Sequence, residues 1–314
     1  MSDTAPVIYL LAGVTAAGKS VLSLDFAKAV GGEILSCDSI AVYRGMDIGS
    51  AKPSHGDRQK VVHHGIDLVD VNKIFSVAEY SMYAKNVIER SLNKNVPIVV
   101  TGGSGFYLQS FLSPVVDEIE VSEEIRNRVG QINAERGLDG MLKILQEFNP
   151  DGLGGMDVLN PRRVMRGLER CLASGKTILQ LKKEFEGQGN PYVNFEKRVI
   201  WLDRENEDIE GRISRRTKIM LEDGLLEETK KLLSLGIETN SSASNAVGYR
   251  ECIACLKGKI TSDELLAAIN HSTRKLVSKQ RKWFRKHFGS EARFMMNQGL
   301  EMSEAIKWNW IRHS

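Results

Sequence analysis

Residues 13–20 read GVTAAGKS and fit the pattern GxxxxGK[ST], whose chemistry is the holding of a di- or triphosphate. The spaced glycines Gly13 and Gly18 let the N–H groups of a loop through Thr15, Ala16 and Ala17 curl around phosphate oxygens. Lys19 reaches the outer phosphate, the Ser20 hydroxyl can hold Mg²⁺, and the helix that follows adds partial positive charge at its first turn. Other groups have the right types to act on whatever meets those phosphates. Asp38 can coordinate Mg²⁺ or serve as a general base, with a turn-capping aspartate as the alternative. Thr101 and Ser104 offer hydroxyls. Arg212 and Arg216 stand four residues apart, so they share a helix face and can close over phosphates from outside the loop.

These groups meet only if the elements around them set them on one rim. VIYLLA, residues 7–12, is an apolar run of strand length, and VLSLDFAKAV after the loop has the spacing of a helix packed on a sheet. Residues 33–37 read as a second strand ending at Asp38 and Ser39. Residues 97–101 read as another, broken by a double glycine ahead of Ser104, and 197–203 as a later one. In open α/β sheets ligands lie beyond the carboxyl ends of the strands, so Asp38, Thr101 and Ser104 are expected beside the phosphate loop. The strand at 97–101 ends without an aspartate, which weakens an ATPase reading, because hydrolysis would need that metal ligand. Ser76 with Glu79 three residues on predicts a helix with a capping box. His63 and His64 would face opposite ways in a strand, poor geometry for one metal, and are read as structural or phosphate-side polar groups.

Between the strands at 97–101 and 197–203 the texture is helical and charged, with no convincing strand. The expected fold class is therefore α/β: a P-loop NTPase-like parallel sheet core with an all-helical insertion domain. The core occupies 1–115 and 196–314, the insertion 116–195, and a basic helix over about 262–287 lies near the end of the chain.

No apolar run approaches the roughly 20 residues of a spanning helix, and the first residues resemble no signal peptide, so no membrane contact and a cytoplasmic location are expected. Net charge is only +3, so a polyanionic partner must be met by a local patch. Two patches qualify. NPRRVMRGLER has Pro161 opening a helix, with Arg162, Arg163, Arg166 and Arg170 on neighbouring faces. TRKLVSKQRKWFRKHF carries Arg274, Lys275, Lys279, Arg281, Lys282, Arg285 and Lys286 around Trp283 and Phe284, a composition that suits a nucleic-acid backbone and unstacked bases. For both, a solvated helix face is the alternative, with the two aromatics as core anchors in the second. Cys252 and Cys255 form a CxxC without a matching second pair and read as core thiols on a helix.

GVTAAGKS, DSIAVYRGMDIGSAKP, GGSGFYL, NPRR, GYRE and TRKLVSKQRKWF, in this order and spacing, resemble the tRNA dimethylallyltransferases, also called tRNA isopentenyltransferases, over about residues 7–288. The resemblance implies transfer of a dimethylallyl group from dimethylallyl diphosphate to N6 of adenosine 37 in the tRNA anticodon loop, with Mg²⁺ and the diphosphate in the phosphate loop. It implies that Asp38 is the base and that Thr15, Lys19, Ser20 and Arg212 hold the diphosphate. It implies too that Thr101 and Ser104 help to position the reacting groups. It further implies tRNA contacts from Asp38, Ser39, Ile40 and Ala41, from Arg126, from Arg162, Arg163 and Arg166, from Gly248, Tyr249 and Arg250, and from Arg274 and Arg281. A monomer is expected. The loop departs from the family's usual pattern at Val14 and Ala17, and Ala41, Ser104 and Arg162 also differ from it; Ala41 puts one adenine or backbone contact in doubt. Three alternatives stay open: a small-molecule kinase using ATP, a non-catalytic RNA-binding module, and prenylation of a free adenine nucleotide.

Overall fold

The computed structural model describes residues 5–115, 117 and 119–296. Its strands are β1 (Val7–Gly13), β2 (Glu33–Cys37), β3 (His63–His64), β4 (Ile98–Gly102), β5 (Glu196–Asp203) and β6 (Arg293–Met295). They form one sheet in the order β3-β2-β4-β1-β5-β6, with every pairing parallel. The central strand β1 is buried almost throughout, because helices cover both faces of a parallel sheet; Ile8, Leu10 and Leu11 are inaccessible to solvent.

Around the sheet run α1 (Lys19–Val30), α2 (His55–Lys60), α3 (Val77–Asn93) and α4 (Gly105–Gln109). Ser76 caps α3, and Glu79 completes the capping box. Tyr80 of α3 stacks on Tyr107 of α4 and donates to the Ser36 carbonyl, which seats both helices against β2. Later in the chain come α8 (Asn206–Glu222), α9 (Leu225–Ser234), α10 (Ser241–Ser244), α11 (Tyr249–Leu256) and α12 (Ser262–Phe288). The last of these packs on β5 through Phe284, whose ring stacks on Trp201 at 5.5 Å. Cys252 and Cys255 lie on α11, with Cys252 buried. His63 bonds the Val61 carbonyl while His64 bonds Glu33, in keeping with opposite facing along a strand.

A separate compact unit spans Leu112–Pro191. It contains α5 (Glu123–Phe148), α6 (Pro161–Ser174) and α7 (Ile178–Glu186), with no strand among its described residues. Gly137, at φ 61°, breaks α5 in its middle. Val129, Met141, Leu145, Val164, Leu168, Cys171 and Leu181 form its core. Asn149 closes the unit by donating to the Leu145 carbonyl and accepting the Ile178 N–H. Pro161 is the first residue of α6, where its missing N–H costs nothing, and the Asn160 side chain caps the helix.

The aromatics of α12 correct one expectation. Phe284 is fully buried, and Trp283 lies over Gly105, where an added Cβ would come within 2.8 Å of the indole. They serve as core anchors, because the apolar stripe of α12 points at β5 and α4. Among the described residues no helix is long and apolar enough to cross a membrane.

Candidate functional site

The register of the sheet decides what the rim contains. Ala12 and Cys37 both pair with Gly102, so β1, β2 and β4 end at one level. The phosphate loop leaves β1 there, Asp38 follows β2, and Thr101 stands one residue before the end of β4. Gly13 is required by packing, since a Cβ would lie 2.8 Å from the Leu202 carbonyl oxygen of β5. Gly18 is required by conformation, at φ 104°.

The loop's own lysine and two arginines from far along the chain hold the loop carbonyls. Lys19 donates to Val14 O at 2.9 Å, Arg212 to Ala16 O at 2.7 Å and Arg204 to Ala17 O at 2.9 Å. Drawing the carbonyls toward cations leaves the N–H groups of Ala16, Gly18, Lys19 and Ser20 without a protein acceptor among the described residues. The first turn of α1 has no acidic side chain and no side-chain cap. This arrangement suits an anion.

Its electrostatics agree. Burial, and then Arg216, bring the Lys19 ammonium down to about 8, with Asp38 opposing the change. Burial likewise lowers Arg216, again against Asp38. Desolvation makes both charges costlier to hold here, and a polyanion arriving beside them favours their charged forms. Asp38 accepts the Ile40 N–H at 2.8 Å and the Ala41 N–H at 3.4 Å through Oδ1. It is thus the turn-capping aspartate of one reading, while Oδ2 accepts no hydrogen bond among the described residues and remains available as a base. Ser104 Oγ takes the Ser39 N–H at 2.9 Å and bonds Ser39 Oγ at 3.1 Å, which joins the loops after β2 and β4. The Thr101 hydroxyl is buried with no hydrogen-bond partner among the described residues.

Asp203, at the end of β5, occupies a place where a metal carboxylate would be useful. Its oxygens are taken up by Arg281, Arg293 and the Arg204 N–H, and it is fully buried. Among the described residues no three His, Cys, Asp or Glu side chains gather as a metal cage. The exposed Ser20 and the orphaned Thr101 hydroxyl are oxygen donors of the kind that suits Mg²⁺ held mostly by a phosphate ligand and water.

The residues expected to meet tRNA divide into two groups. Arg126 on α5, Arg162, Arg163 and Arg166 on α6, and Arg274 on α12 are exposed. Arg166 pairs with the buried Glu169, and Arg170 is ion-paired to Asp117. In the other group the side chains are engaged with neighbours in the fold, and all but Arg250 are largely withdrawn from solvent. Arg281 bonds Asp203, Asn206 and the Arg204 carbonyl, leaving its side chain 16% exposed. Gly248 and Tyr249 are buried, and the tyrosine hydroxyl donates to Glu228 at 2.7 Å. Arg250 lies on Glu251 and Ser272. The Ala41 side chain is buried too, so its position offers only backbone on this side.

Sequence reasoning gave Arg204 and Gln280 no place in the site. Arg204 had a faint signal, as the residue after a strand ending on the rim. Gln280 had a clearer one: it interrupts the apolar stripe Val277, Phe284, Phe288 of α12 with an amide, and an amide at a core position needs partners.

The profile of the IPP transferase family matches residues 41–287. A tRNA dimethylallyltransferase of Opitutus terrae is 43% identical over 284 residues, covering 90% of this chain and 91% of that one. Another, from Halothermothrix orenii, is 34% identical over 288 residues, covering 90% and 86%. The crystal structure of the full-length tRNA isopentenylpyrophosphate transferase of Bacillus halodurans superposes with a TM-score of 0.69 at 28% identity, over 98% of this chain and 96% of that one. With the family model matching residues 41–287 and relatives 34–43% identical over nine-tenths of its length, this chain belongs to the IPP transferase family.

Proposed function

We propose that the protein transfers a dimethylallyl group from dimethylallyl diphosphate to N6 of adenosine 37 in tRNA, releasing diphosphate. The observation that carries this reading is the convergence on one rim of an anion-seeking loop, the cations Lys19, Arg212 and Arg216, and a carboxylate with one free oxygen. The C–O bond to diphosphate breaks as the N6–C bond forms, so negative charge grows on the leaving group. Lys19, Arg216 and the loop N–H groups stabilise that charge in a buried setting, and Arg212 braces the loop from outside. Adenine N6 is a weak nucleophile because its lone pair is delocalised into the ring. Asp38 Oδ2 takes the N6 proton as the bond forms, which lowers the barrier.

Mg²⁺, held by Ser20 and the diphosphate, would supply further neutralisation of the leaving group. The target base must leave the anticodon-loop stack to reach Asp38, and base unstacking is the usual way an enzyme reaches such an atom. Arg126, Arg162, Arg163 and Arg166 on the helical unit, and Arg274 on α12, are the exposed arginines that would meet tRNA phosphates, Arg166 while also paired with Glu169.

The test is incubation of the purified protein with labelled dimethylallyl diphosphate and unmodified tRNA, beside free AMP and ATP. Label in tRNA alone is expected. Label in AMP or ATP would make the enzyme a nucleotide prenyltransferase, and no transfer with tight ATP binding would favour a kinase.

A further inference from the structure

Gln280 joins the two loops that form the mouth of the phosphate site, although it lies in α12, more than 170 residues further along the chain than either. Its Oε1 accepts both the Thr15 N–H, at 2.8 Å, and the Thr15 hydroxyl, at 3.1 Å. Its Nε2 donates to the Gly103 carbonyl at 3.1 Å. The orientation of the amide is not arbitrary. A backbone N–H must face an acceptor and a backbone carbonyl must face a donor, so Thr15 and Gly103 together fix which end is oxygen. A Cβ on residue 103 would lie 2.5 Å from Nε2, so the bridge also depends on glycine there.

The Thr15 hydroxyl is thereby polarised. An amide oxygen can only accept, so the hydroxyl proton points to Gln280 and the hydroxyl oxygen presents lone pairs to its other neighbours. Thr15 N–H is withdrawn from the loop as well. Two of the groups that the loop pattern would offer to phosphate are thus turned toward α12. The remaining free N–H groups, from Ala16 and Gly18 to Ser20, lie on the helix side of the loop. Arg281, the next residue, grips Arg204 O, while the Arg204 guanidinium holds Ala17 O. Two successive residues of α12 therefore brace the phosphate loop near its start and near its end.

We propose that Gln280 is a positioning residue: it sets the shape of the loop through Thr15 and Gly103 so that the free N–H groups and Lys19 converge on the diphosphate. This rests on the reading that residues 13–20 hold the diphosphate. A glutamine that merely filled space beneath the loop would matter for stability and not for how tightly diphosphate binds.

The experiment uses the full chain and inorganic diphosphate with Mg²⁺ as the probe, by calorimetric titration. It is paired with kcat and KM for labelled dimethylallyl diphosphate at saturating tRNA. Gln280→Met, of similar length but without hydrogen bonds, is expected to raise the diphosphate Kd and the KM by roughly tenfold, the size of one lost positioning interaction. Thr15→Val in the Gln280→Met background should add little, because the amide oxygen that the hydroxyl bonds is already gone. Gln280→Glu keeps the acceptor for Thr15 but sets a carboxylate against the Gly103 carbonyl and beside the anion. It should bind diphosphate more weakly than Gln280→Met near neutral pH, and recover relative to wild type as acid protonates the new carboxyl.

Wild-type affinity in folded Gln280→Met, or fully multiplicative effects of Thr15→Val and Gln280→Met, would overturn the proposal. Should Gln280→Met not fold, the pH-dependent recovery of Gln280→Glu decides in its place, and its absence counts against the proposal. Failure of the underlying reading looks different: wild type that does not bind diphosphate, or Lys19→Ala that binds it equally well.

Discussion

Around the phosphate loop, Lys19, Arg204 and Arg212 each donate to a loop carbonyl and the half-buried Arg216 interacts electrostatically with Lys19 and Asp38, whereas on α6 Arg162, Arg163 and Arg166 stand on an exposed helix face. Both regions are cationic, and they suit opposite tasks. Charges held in a low-dielectric pocket are already oriented, so they act on charge developing in a reaction without reorganising. Charges on a solvated face are screened and mobile, and they attract a polyanion over its length without fixing any one atom. Buried positions should therefore respond to substitution in rate or folding, and exposed positions in salt-dependent binding.

The largest expected effect is at Asp38. Asp38→Asn keeps an oxygen for the Ile40 and Ala41 N–H groups, so the turn survives, while the proton acceptor is lost. Turnover should fall about 10² to 10⁴-fold with tRNA affinity retained. A single-turnover rate near that of wild type would remove Asp38 from the chemistry and blur the contrast between the two regions.

Arg281 tests the contrast from inside a basic run. Its neighbours Lys279 and Lys282 are exposed, but Arg281 neutralises the buried Asp203. Arg281→Ala should cost about 2–4 kcal/mol of stability, less than a wholly uncompensated buried charge because Arg293 also faces Asp203. Arg163→Ala should stay within about 0.5 kcal/mol. Urea midpoints of the two variants decide this, and equal midpoints would mean that the Asp203 cluster carries no weight in the fold.

A pH experiment follows from Lys19. Its ammonium sits at about 8 in the free protein, below the ordinary 10.5, through burial and Arg216. Between these values the unfolded chain binds more protons than the folded one, so this residue's contribution to stability rises with pH across that window. Diphosphate binding runs the other way, since the anion restores the charged form. Affinity should be highest below about pH 8 and fall above it by up to about tenfold per pH unit, with proton uptake on binding near pH 9. Calorimetry in two buffers of different ionisation enthalpy measures that uptake, and Lys19→Met should abolish it.

How much of this was legible in the sequence follows from the range of the interactions. The phosphate loop, the strand before it and the capped helix at Ser76 are local patterns, each set by a few consecutive residues, and they were read as they stand. Asp38, Thr101 and Ser104 fell on the rim because parallel strands end at one level, a rule that needs only strand order in the chain. The partners of the basic run on α12 were not legible. Whether Arg281 or Lys282 faces the sheet depends on the rotation of a long helix against β5, and a helix with charges all round does not announce which one will meet a buried aspartate. The same gap hid Gln280 and the burial of Tyr249, whose partners lie in segments far away along the chain.

The smallest expected effect is the most discriminating for the exposed face. If Arg163 meets a tRNA phosphate, neutralising it releases condensed counterions, and Arg163→Ala should flatten the plot of log affinity against log salt by roughly 0.7 to 0.9 unit. Arg166 stands on the same face but must share its guanidinium with Glu169, which is buried and has this arginine as a charged partner at 2.8 Å. Moving toward phosphate would leave that carboxylate uncompensated, so Arg166→Ala should flatten the slope less than Arg163→Ala and lower stability more. Arg281→Ala should leave the slope as it is, since its guanidinium is committed to Asp203, Asn206 and the Arg204 carbonyl. Filter-binding titrations of tRNA across salt concentrations, for wild type and the three variants, give the ranking. Equal slopes for all four proteins would reduce the α6 face to solvated surface, and a change confined to Arg281 would reverse the assignment of inside and outside on which the comparison stands.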